Sequence, residues 1–527
     1  MAQTAFFILF AALLAAGTVL HLAPESQGAF LRLDPSLTAI AALGSRALTV
    51  LGLPAALVLL SALVLGRAFC GHVCPMGATE DFLDRAASRS RKGRSLRPGS
   101  VRYGILIFLV VAAVFGGLNL SYGISPLSLA TRLYAMVLFP ALAFLFRLAL
   151  DLFRPLAQDL GFQSIAFAQV REPFFTTQFF LWALFAALFA AARLTPRFFC
   201  RFFCPAGAML SLLSRKPILG RRVSQDCTRC GKCARSCPMS AIPVAEPGET
   251  VFSECILCGT CESLCPAGAV SFGVRAGRGG RVCSTDFSRR GVLAAGLMGA
   301  VSAAGLAGAS TLLAAPAARP FLLRPPGAMP EDEFLARCAR CGQCAAVCPT
   351  NTLQPVWTAA GWGGVFSPAV TPDLAFCDPK CTRCGASCPT GAIRPLSPQE
   401  RIWARIGTAG VDRKRCVAWA GRQACMACDE VCPYDAVRFS RPEGYRFAVP
   451  QVAEKSCSGC GACQHACPVR GPAAIRVSSK DALRLSEGSF VEAGRRRGYD
   501  LRLVAEKQED TPAGAVPPEE LAPGFDP

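Results

Sequence analysis

Long apolar runs separated by basic loops make up the N-terminal part of the chain. A helix needs about 20 apolar residues to cross a bilayer, and four runs come near that length. We predict membrane spans at 5–20, 47–65, 103–120 and 174–192. No Lys or Arg precedes the first run, so it lacks the basic start of a cleavable signal peptide, and we predict a retained anchor.

A further apolar segment, Leu133–Phe146, is harder to place. It has fourteen residues between Arg132 and Arg147, with Pro140 in the middle. It is short for a span, and if it crossed the bilayer the two most basic loops would lie on opposite faces, against the positive-inside rule. We therefore predict an interfacial or re-entrant helix on the far side, and four spans with the N-terminus inside.

Positive charge is concentrated beside the apolar runs. The net charge is +19, but from Pro330 onward 24 Lys and Arg stand against 22 Asp and Glu, so residues 1–329 carry +17. The loop Arg67–Arg102 holds eight Lys and Arg, and the loop Arg193–Arg222 holds seven. Short basic loops beside apolar helices are typical of the cytoplasmic face of a membrane protein. Nucleic-acid binding is the weaker interpretation, because no known binding motif accompanies the charge.

An export signal is predicted inside the chain, over residues 284–320. Arg289 and Arg290 form a twin arginine, and Gly291–Ala315 follows as 25 residues without a charge. This combination is typical of twin-arginine signals, which carry folded proteins out of the cytoplasm. An ordinary membrane helix with two arginines at its foot is the alternative, and the sequence leaves open whether the segment is cleaved.

The chain has 29 cysteines, and most of them stand in regular runs. Two runs before the export segment have the bacterial ferredoxin spacing Cys-x2-Cys-x2-Cys-x3-Cys-Pro, in which the fourth cysteine binds the other cluster. Structural zinc sites normally use separated two-cysteine knuckles, so 4Fe-4S clusters are the better interpretation. The predicted ligands are Cys227, Cys230, Cys233 and Cys265 for one cluster, and Cys255, Cys258, Cys261 and Cys237 for the second.

The same pattern returns four times after the export segment. This predicts four more 4Fe-4S clusters and about six in the whole chain. Spacing alone leaves open which runs exchange their fourth ligand, and a disulfide scaffold is disfavoured because both halves share one cysteine spacing. The runs are Cys338, Cys341, Cys344, Cys348; Cys377, Cys381, Cys384, Cys388; Cys416, Cys425, Cys428, Cys432; and Cys457, Cys460, Cys463, Cys467.

Two more cysteine pairs form an internal repeat at the start of the basic loops. Cys70 and Cys74 stand in a Phe-Cys-x3-Cys-Pro motif, and so do Cys200 and Cys204. Cysteines four apart share one face of a helical turn, so each pair can present two thiolates to a metal or cluster. The two pairs can also combine into one four-thiolate site. A redox dithiol and an inert packing motif are the alternatives.

Other cofactors are not indicated by the sequence. Without a Cys-x2-Cys-His motif we expect no c-type haem, and three histidines do not suggest bis-histidine haem. His72 and His465 are expected to pack or face solvent, whereas His21 is a candidate neighbour of a quinol site. Cys283 is left over and is interpreted as structural or incidental. No catalytic constellation is evident, so we identify no catalytic residue.

These patterns predict a membrane α-helical bundle plus α+β ferredoxin domains of the bacterial two-cluster type. The predicted domains are a membrane domain at 1–215, a cytoplasmic ferredoxin at 220–275, the export signal or transmembrane helix at 284–320, a polyferredoxin with four clusters at 330–480, and a partly disordered tail at 481–527.

The motifs, in this order, resemble two groups of known proteins. The Cys-x3-Cys-Pro pairs and the ferredoxin that follows resemble NapH of periplasmic nitrate reduction, MauN of methylamine utilisation and the C-terminal part of NosR. The twin arginine and the four cluster motifs after it resemble NapG and MauM. The resemblance covers nearly residues 1–480 and implies a fusion of two proteins that are usually separate. An outside flavin domain, which NosR-like proteins carry, has no room in the short first outside loop.

This resemblance implies a quinol dehydrogenase module in the bacterial inner membrane. The membrane part would take electrons from the quinone pool, and the exported ferredoxin would pass them to a periplasmic cytochrome or reductase. One alternative is a maturation or regulatory iron–sulfur protein for a periplasmic metalloenzyme. Another is a ferredoxin array that lies entirely in the cytoplasm.

Overall fold

The computed structural model describes most of the chain and divides it into two compact units. The described residues are 2–18, 24–46, 52–87, 101–116, 119–159, 161–163, 167, 173–274, 290, 293–294, 296–301, 304–305, 321–357 and 359–504. The first unit comprises Met1–Arg319, Ala328–Ala369 and Arg383–Pro395, and the second comprises Pro320–Gly327, Val370–Thr382 and Leu396–Pro527. His21, Cys283, Arg289 and the predicted disordered tail from Thr511 lie outside the described residues.

Apolar helices make up the start of the first unit. A helix of 13 to 17 residues lies at each of the four predicted spans; the first is one residue longer than its predicted span, and the other three are shorter as described. An additional apolar helix, α3, was not predicted. The helices are α1 (Ala2–Thr18), α2 (Pro24–Arg32), α3 (Pro35–Ser45), α4 (Leu53–Leu65), α5 (Ala68–His72), α6 (Pro75–Ala87) and α7 (Val101–Gly116), and after residue 125 α8 (Pro126–Arg132), α9 (Phe139–Asp159), α10 (Gln178–Ala192), α11 (Phe198–Phe202) and α12 (Pro205–Leu213).

The predicted bounds of the helix over Leu133–Phe146 are wrong, and its interfacial or re-entrant placement stays a prediction. This segment belongs to a continuous helical stretch of 34 residues, Pro126–Asp159, which is the one described helix long and apolar enough to cross a membrane. Arg132 does not end the helix, because its side chain is buried. Pro140 does not break it either: a π-helical turn, Leu133–Leu138, lies directly before the proline and changes the hydrogen-bond register there.

Asp34 joins the starts of two helices in the first unit. Its buried carboxylate accepts hydrogen bonds from the backbone N–H groups of Ser36 and Leu37, which caps α3. The same carboxylate accepts from the Ser125 hydroxyl at 2.5 Å, and Ser125 is the N-cap of α8. A buried carboxylate with several donors is well satisfied, so α8 is held at a defined position beside α3.

Small ferredoxin folds follow the helices in the first unit. Strands β1 (Leu219–Val223) and β2 (Val270–Val274) pair antiparallel, with Arg221 opposite Phe272. Each cysteine triplet turns into a one-turn helix. The remaining elements described in this unit are α13 (Lys232–Arg235), α14 (Thr260–Ser263), α15 (Glu331–Arg337), α16 (Gln343–Ala346), the strand pair β3 (Leu353–Pro355) and β4 (Pro368–Val370), and α17 (Arg383–Ala386).

The second unit repeats the ferredoxin pattern with two antiparallel strand pairs. Thr408 lies opposite Ser478 in one pair, and Val437 lies opposite Val452 in the other. The first and last strands pair with each other, as do the two middle ones. The elements are α18 (Pro398–Trp403), β5 (Thr408–Val411), α19 (Ala427–Glu430), β6 (Val437–Ser440), β7 (Val449–Val452), α20 (Ala462–His465), β8 (Ile475–Ser478) and α21 (Phe490–Arg496).

Candidate functional site

Five cavities in the structure are each lined by four cysteines. Two lie in the first ferredoxin, and each combines a triplet with the fourth cysteine of the other run, as the spacing predicts. The four cysteines that line one cavity are Cys227, Cys230, Cys233 and Cys265, and those that line the other are Cys237, Cys255, Cys258 and Cys261.

The other three cavities show pairings that spacing left open. In the second unit the last two runs exchange their fourth cysteines: Cys467 joins Cys416, Cys425 and Cys428, and Cys432 joins Cys457, Cys460 and Cys463. In the first unit Cys388 joins Cys338, Cys341 and Cys344. The long first gap before Cys425 therefore keeps the ordinary two-cluster arrangement. Four cysteines of the predicted sets stand outside these cavities: Cys348, Cys377, Cys381 and Cys384.

Backbone N–H groups point at the fourth cysteine of several runs. The N–H of Ala241 donates to Cys237 Sγ at 3.3 Å, and the N–H of Ala436 donates to Cys432 Sγ at 3.3 Å. The N–H of Ala474 donates to Cys467 Sγ at 3.4 Å. Hydrogen bonds to sulfur stabilise the reduced state of a cluster, so these groups raise its reduction potential.

The thiols differ in their acidity. Burial raises the pKa of Cys255, Cys341 and Cys460 to about 12 each. Cys230 is exposed, and the backbone N–H of Lys232 lowers its pKa. Cysteines bind metal as thiolates, so cluster loading at the buried positions has to release protons that the empty protein holds at neutral pH.

The two Cys-x3-Cys-Pro motifs have the same local backbone. In the first, the N–H groups of Val73 and Cys74 both donate to the Phe69 carbonyl; in the second, those of Phe203 and Cys204 both donate to the Phe199 carbonyl. Each motif is a short helix, α5 or α11, followed at the Cys-Pro step by a longer helix, α6 or α12. Proline suits this step because the first residue of a helix needs no N–H partner.

The structure brings the four cysteines of the two motifs together. The Cys204 thiol lies within electrostatic range of Cys70 and Cys74, and the Cys200 thiol lies within range of Cys74. All four side chains are buried. Within the part of the chain that the structure describes, no three His, Cys, Asp or Glu side chains are arranged around a single ion. In an iron–sulfur cluster the thiolates bind separate iron atoms, so the four cysteines do not have to surround a single ion.

Acidic side chains fix the two motifs in place. Glu80, on α6 of the first motif, accepts hydrogen bonds from the backbone N–H groups of Phe199 and Cys200 at 2.7 and 3.1 Å. Glu254, in the ferredoxin, pairs with the buried Arg67 at 3.0 Å and with Arg102. The first motif is thereby joined to the second motif and to the ferredoxin.

The first motif lies directly on the ferredoxin backbone. A Cβ atom added to Gly71 would overlap the carbonyl oxygen of Ile256, so only glycine permits this approach. His72 Nε2 makes a 3.1 Å hydrogen bond with the Leu257 carbonyl. Cys70 belongs to a buried cluster with Ile256, against which Cys255 packs. The expectation that His72 is a packing residue agrees with this geometry.

Cys74, Cys200 and Cys204 have different neighbours. They belong to a buried cluster that also contains Leu127 and Leu129 of α8, and Cys341 of the third ferredoxin motif. The Ser128 hydroxyl donates to the Ala339 carbonyl at 3.3 Å, which fixes α8 to that motif. The four thiols therefore lie between the cavity that Cys255 lines and the cavity that Cys341 lines.

Sequence reasoning missed two arginines beside this group. Arg67 and Arg197 stand three residues before Cys70 and Cys200, and both are buried. The signal was available: the repeat is longer than Cys-x3-Cys-Pro and reads Arg-x2-Cys-x3-Cys-Pro-x-Gly in both copies. Arg197 pairs with Asp81, its Nε donating to Oδ1 at 2.7 Å.

Comparison with protein families identifies iron–sulfur domains in several parts of the chain. A 4Fe-4S binding domain matches residues 47–94 and again 177–224, and each match contains one Cys-x3-Cys-Pro motif. A 4Fe-4S dicluster domain matches residues 226–269 and 421–470. Another 4Fe-4S binding domain matches residues 335–351. The chain thus carries several 4Fe-4S binding domains, as predicted.

Ferredoxin-type proteins of two systems are similar to part of the chain. The methylamine utilization ferredoxin-type protein MauM of Methylorubrum extorquens is 36% identical over 204 residues, which are 37% of this chain and 90% of that protein. The ferredoxin-type protein NapG of Escherichia coli is 32% identical over 29% of this chain and 68% of its own length. NapF of Haemophilus influenzae is 37% identical over 28% of this chain and 75% of its own length.

The resemblance to NapG and MauM is confirmed by these matches, and the resemblance to NapH, MauN and NosR stays a prediction. With its cysteine-lined cavities and its 4Fe-4S domains, the chain belongs to the family of ferredoxin-type iron–sulfur proteins that includes MauM and NapG.

Proposed function

We propose that this chain is a membrane-bound electron-transfer protein that carries electrons from quinol to a periplasmic redox partner. Ferredoxin-type proteins of the Nap and Mau systems are its relatives. The proposal adds three points to this relationship: quinol as the electron donor, a membrane location, and export of the C-terminal half.

The observation that carries this proposal is the series of cysteine sites in the first unit. The cavities lined by Cys227 and Cys255 share the ferredoxin, the four buried thiols of the repeat follow, and the cavity lined by Cys341 adjoins them. Iron–sulfur clusters exchange single electrons, and closely spaced sites of this kind conduct rather than transform a substrate. Buried apolar residues around the four thiols of the repeat keep water away from them.

The surface of the apolar helices supports a membrane location. Leu57 on α4 is 60% exposed, Leu152 on α9 is 76% exposed and Phe179 on α10 is 75% exposed. Large exposed apolar surfaces mark sites that another apolar phase covers. With the basic loops that flank these helices, a lipid bilayer is the covering phase that we propose.

A fusion experiment tests the orientation. β-Lactamase can fold before export and protects cells from ampicillin only after it, so a fusion after Pro330 should be active in cells and a matched fusion after Lys216 should be inactive. Replacing Arg289 and Arg290 by lysine should abolish the activity of the first fusion. Equal activity of the two fusions would contradict the proposed export of the C-terminal half.

Direct reduction by quinol tests the function. Detergent-purified protein is mixed anaerobically with a reduced menaquinone analogue, and the iron–sulfur absorbance near ~400 nm is followed. Rapid partial bleaching is expected. If the analogue bleaches nothing while dithionite still reduces the clusters, quinol oxidation by this chain alone is refuted, and a maturation or regulatory role becomes the better proposal.

A further inference from the structure

We propose that Cys70, Cys74, Cys200 and Cys204 together bind one iron–sulfur cluster, shared by the two repeats. This cluster relays electrons between the site that Cys255 lines and the site that Cys341 lines. Its relay role rests on the proposed electron-transfer function, whereas its existence does not.

Neither repeat has enough cysteine ligands to hold a cluster by itself. The two segments that contain these repeats, residues 47–94 and 177–224, each match a 4Fe-4S binding domain and each hold only two cysteines. A 4Fe-4S or 2Fe-2S cluster held by thiolates uses four. Cys74 of the first repeat packs in one buried cluster with Cys200 and Cys204 of the second, and Cys70 lies within electrostatic range of Cys204. Two half-sites that face each other make the complete ligand set.

Arg67 and Arg197 are arranged crosswise, each reaching from its own repeat to the other. A Cβ atom added to Gly207, in the second repeat, would lie 2.8 Å from Nη2 of Arg67, in the first repeat. In the opposite direction, Nη1 of Arg197 donates to the Cys70 carbonyl at 3.3 Å. Each arginine thus reaches the other repeat, which is the pattern expected of a site on a local two-fold axis.

Arg67 also has unused hydrogen-bonding capacity at this place. Its side chain is fully buried, and its Nε and Nη2 atoms have no hydrogen-bond partner. The guanidinium lies within electrostatic range of Cys70, Cys200 and Cys204. A buried cation is costly without a counter-charge, and Glu254 is shared with Arg102. A thiolate-bound cluster carries negative charge and supplies the missing compensation.

Two helices begin directly after a cysteine of each repeat. Cys204 is the N-cap of α12, and its Sγ accepts a hydrogen bond from the Gly207 N–H at 3.2 Å. Cys74 stands in the equivalent position directly before α6. At the start of α12 a backbone N–H group is thus already aimed at a cysteine sulfur, as in the ferredoxin cavities, although burial raises the pKa of both thiols overall. Two acidic groups, Glu80 and Asp34, lie within electrostatic range of these thiols, and backbone N–H groups donate to both carboxylates.

The relay follows from the neighbours of the four thiols. Cys70 packs in the cluster that includes Ile256, beside Cys255. Cys74, Cys200 and Cys204 pack in the cluster that includes Cys341. One electron enters from the iron–sulfur cluster on one side and one leaves to the cluster on the other, with no bond made or broken.

Iron analysis of thiol variants tests the shared cluster. Cys70→Ser/Cys74→Ser, Cys200→Ser/Cys204→Ser and the fourfold variant are purified anaerobically as monodisperse protein, and iron and acid-labile sulfide are measured per chain. We expect each double variant to lose one cluster, roughly two to four iron atoms, and the fourfold variant to lose no more than either. Additive losses, or no loss in any variant, would overturn the proposal.

A variant with all cysteines intact keeps the proposal testable if the thiol variants do not fold. Arg67→Gln removes a buried positive charge beside the site, so one cluster should show a lower midpoint potential in an EPR-monitored redox titration, at unchanged iron content. Arg154→Gln, at a half-buried position on α9 far along the chain from both repeats, should shift no potential. If Arg67→Gln also leaves every midpoint potential unchanged, no cluster lies beside Arg67 and the proposal fails.

Proteoliposomes test the relay. Dithionite outside is the reductant and enclosed cytochrome c is the acceptor, which gains one electron. We expect the fourfold variant to reduce cytochrome c at least tenfold more slowly than wild type, whereas iron loss without slowing would refute the relay. Neither iron content nor this rate involves quinol, so failure with the menaquinone analogue would refute only the proposed donor.

Discussion

The molecule assembles four cysteines in two different ways. In four of the five ferredoxin cavities, three thiols come from seven consecutive residues, and in the fifth they come from residues 416–428; the fourth thiol comes from a second run. In the repeat of the helical region, two thiols come from residues 70–74 and two from residues 200–204, and tertiary packing brings them together. A local triplet can hold its geometry with little support, whereas the paired site depends on Glu80, Glu254 and the two arginines.

The largest expected effect comes from the exchange of fourth cysteines between ferredoxin runs. Replacing such a cysteine should remove the cluster held by the neighbouring run, not the cluster held by its own run. Cys467 lines the cavity of Cys428, not the cavity of Cys463 in its own run. We expect the EPR spectrum of Cys467→Ser to match that of Cys428→Ser and to differ from that of Cys463→Ser. The reverse result would show that the last two runs do not exchange ligands.

Thiol reactivity in the cluster-free protein compares an exposed site with a buried one. The pKa of Cys230 is lowered and the pKa of Cys255 is raised to about 12, so at pH 8 Cys230 has much the larger thiolate fraction. The intrinsic nucleophilicity of the less acidic thiol offsets part of this difference. We expect iodoacetamide to label Cys230 roughly 30-fold faster or more.

The pH dependence checks the sign of these shifts. Labelling of Cys255 should still rise with pH between pH 9 and 11, because this range lies below its pKa, whereas labelling of Cys230 should level off at a lower pH than that of Cys255. Peptide mass spectrometry of timed samples measures both rates. Parallel pH profiles at the two cysteines would contradict the predicted difference in acidity.

Stability tests the contact between the repeat and the ferredoxin. Gly71→Ala places a methyl group against the Ile256 carbonyl, which is backbone and cannot move aside. We expect the free energy of unfolding to fall by about 1–3 kcal/mol, measured as a lower midpoint of thermal cluster loss in detergent. Gly248→Ala is the matched control, because that position is open, and its effect should stay within about 0.5 kcal/mol. Equal effects of the two substitutions would contradict the close contact.

The smallest expected effect is on the potential of one ferredoxin cluster. The buried Arg221 donates from Nη2 to Cys233 Sγ at 3.4 Å, while its neighbour Arg222 is exposed. Arg221→Gln should lower the midpoint potential of that cluster by roughly 20–60 mV, the equivalent of about one hydrogen bond. Arg222→Gln should have a smaller effect in the same potentiometric titration, and the opposite order would contradict the role of this hydrogen bond.

Much of the architecture could be predicted from local patterns. The apolar runs contain helices α1, α4, α7 and α10, and the triplets at Cys227 and Cys255 line cavities with the exchange that their spacing implies. The length of the helix through Pro140 could not be predicted. A charged residue interrupts an apolar run in the sequence, but it does not end a helix when the fold buries its side chain. Arg132 is buried by tertiary packing.

The sequence by itself determined the chemistry of this protein: cysteines at ferredoxin spacing, repeated pairs before proline, and apolar helices with basic loops. These signals are local, because ligands within a few residues of each other meet whatever the rest of the chain does. Only the tertiary structure decided that Cys70 and Cys74 face Cys200 and Cys204, that Cys467 crosses to the run of Cys428, and that Arg67 reaches the second repeat. The meetings of the two repeats depend on helix packing over more than a hundred residues of chain, and the crossing of Cys467 depends on how two runs about forty residues apart fold together. Spacing carries no record of either.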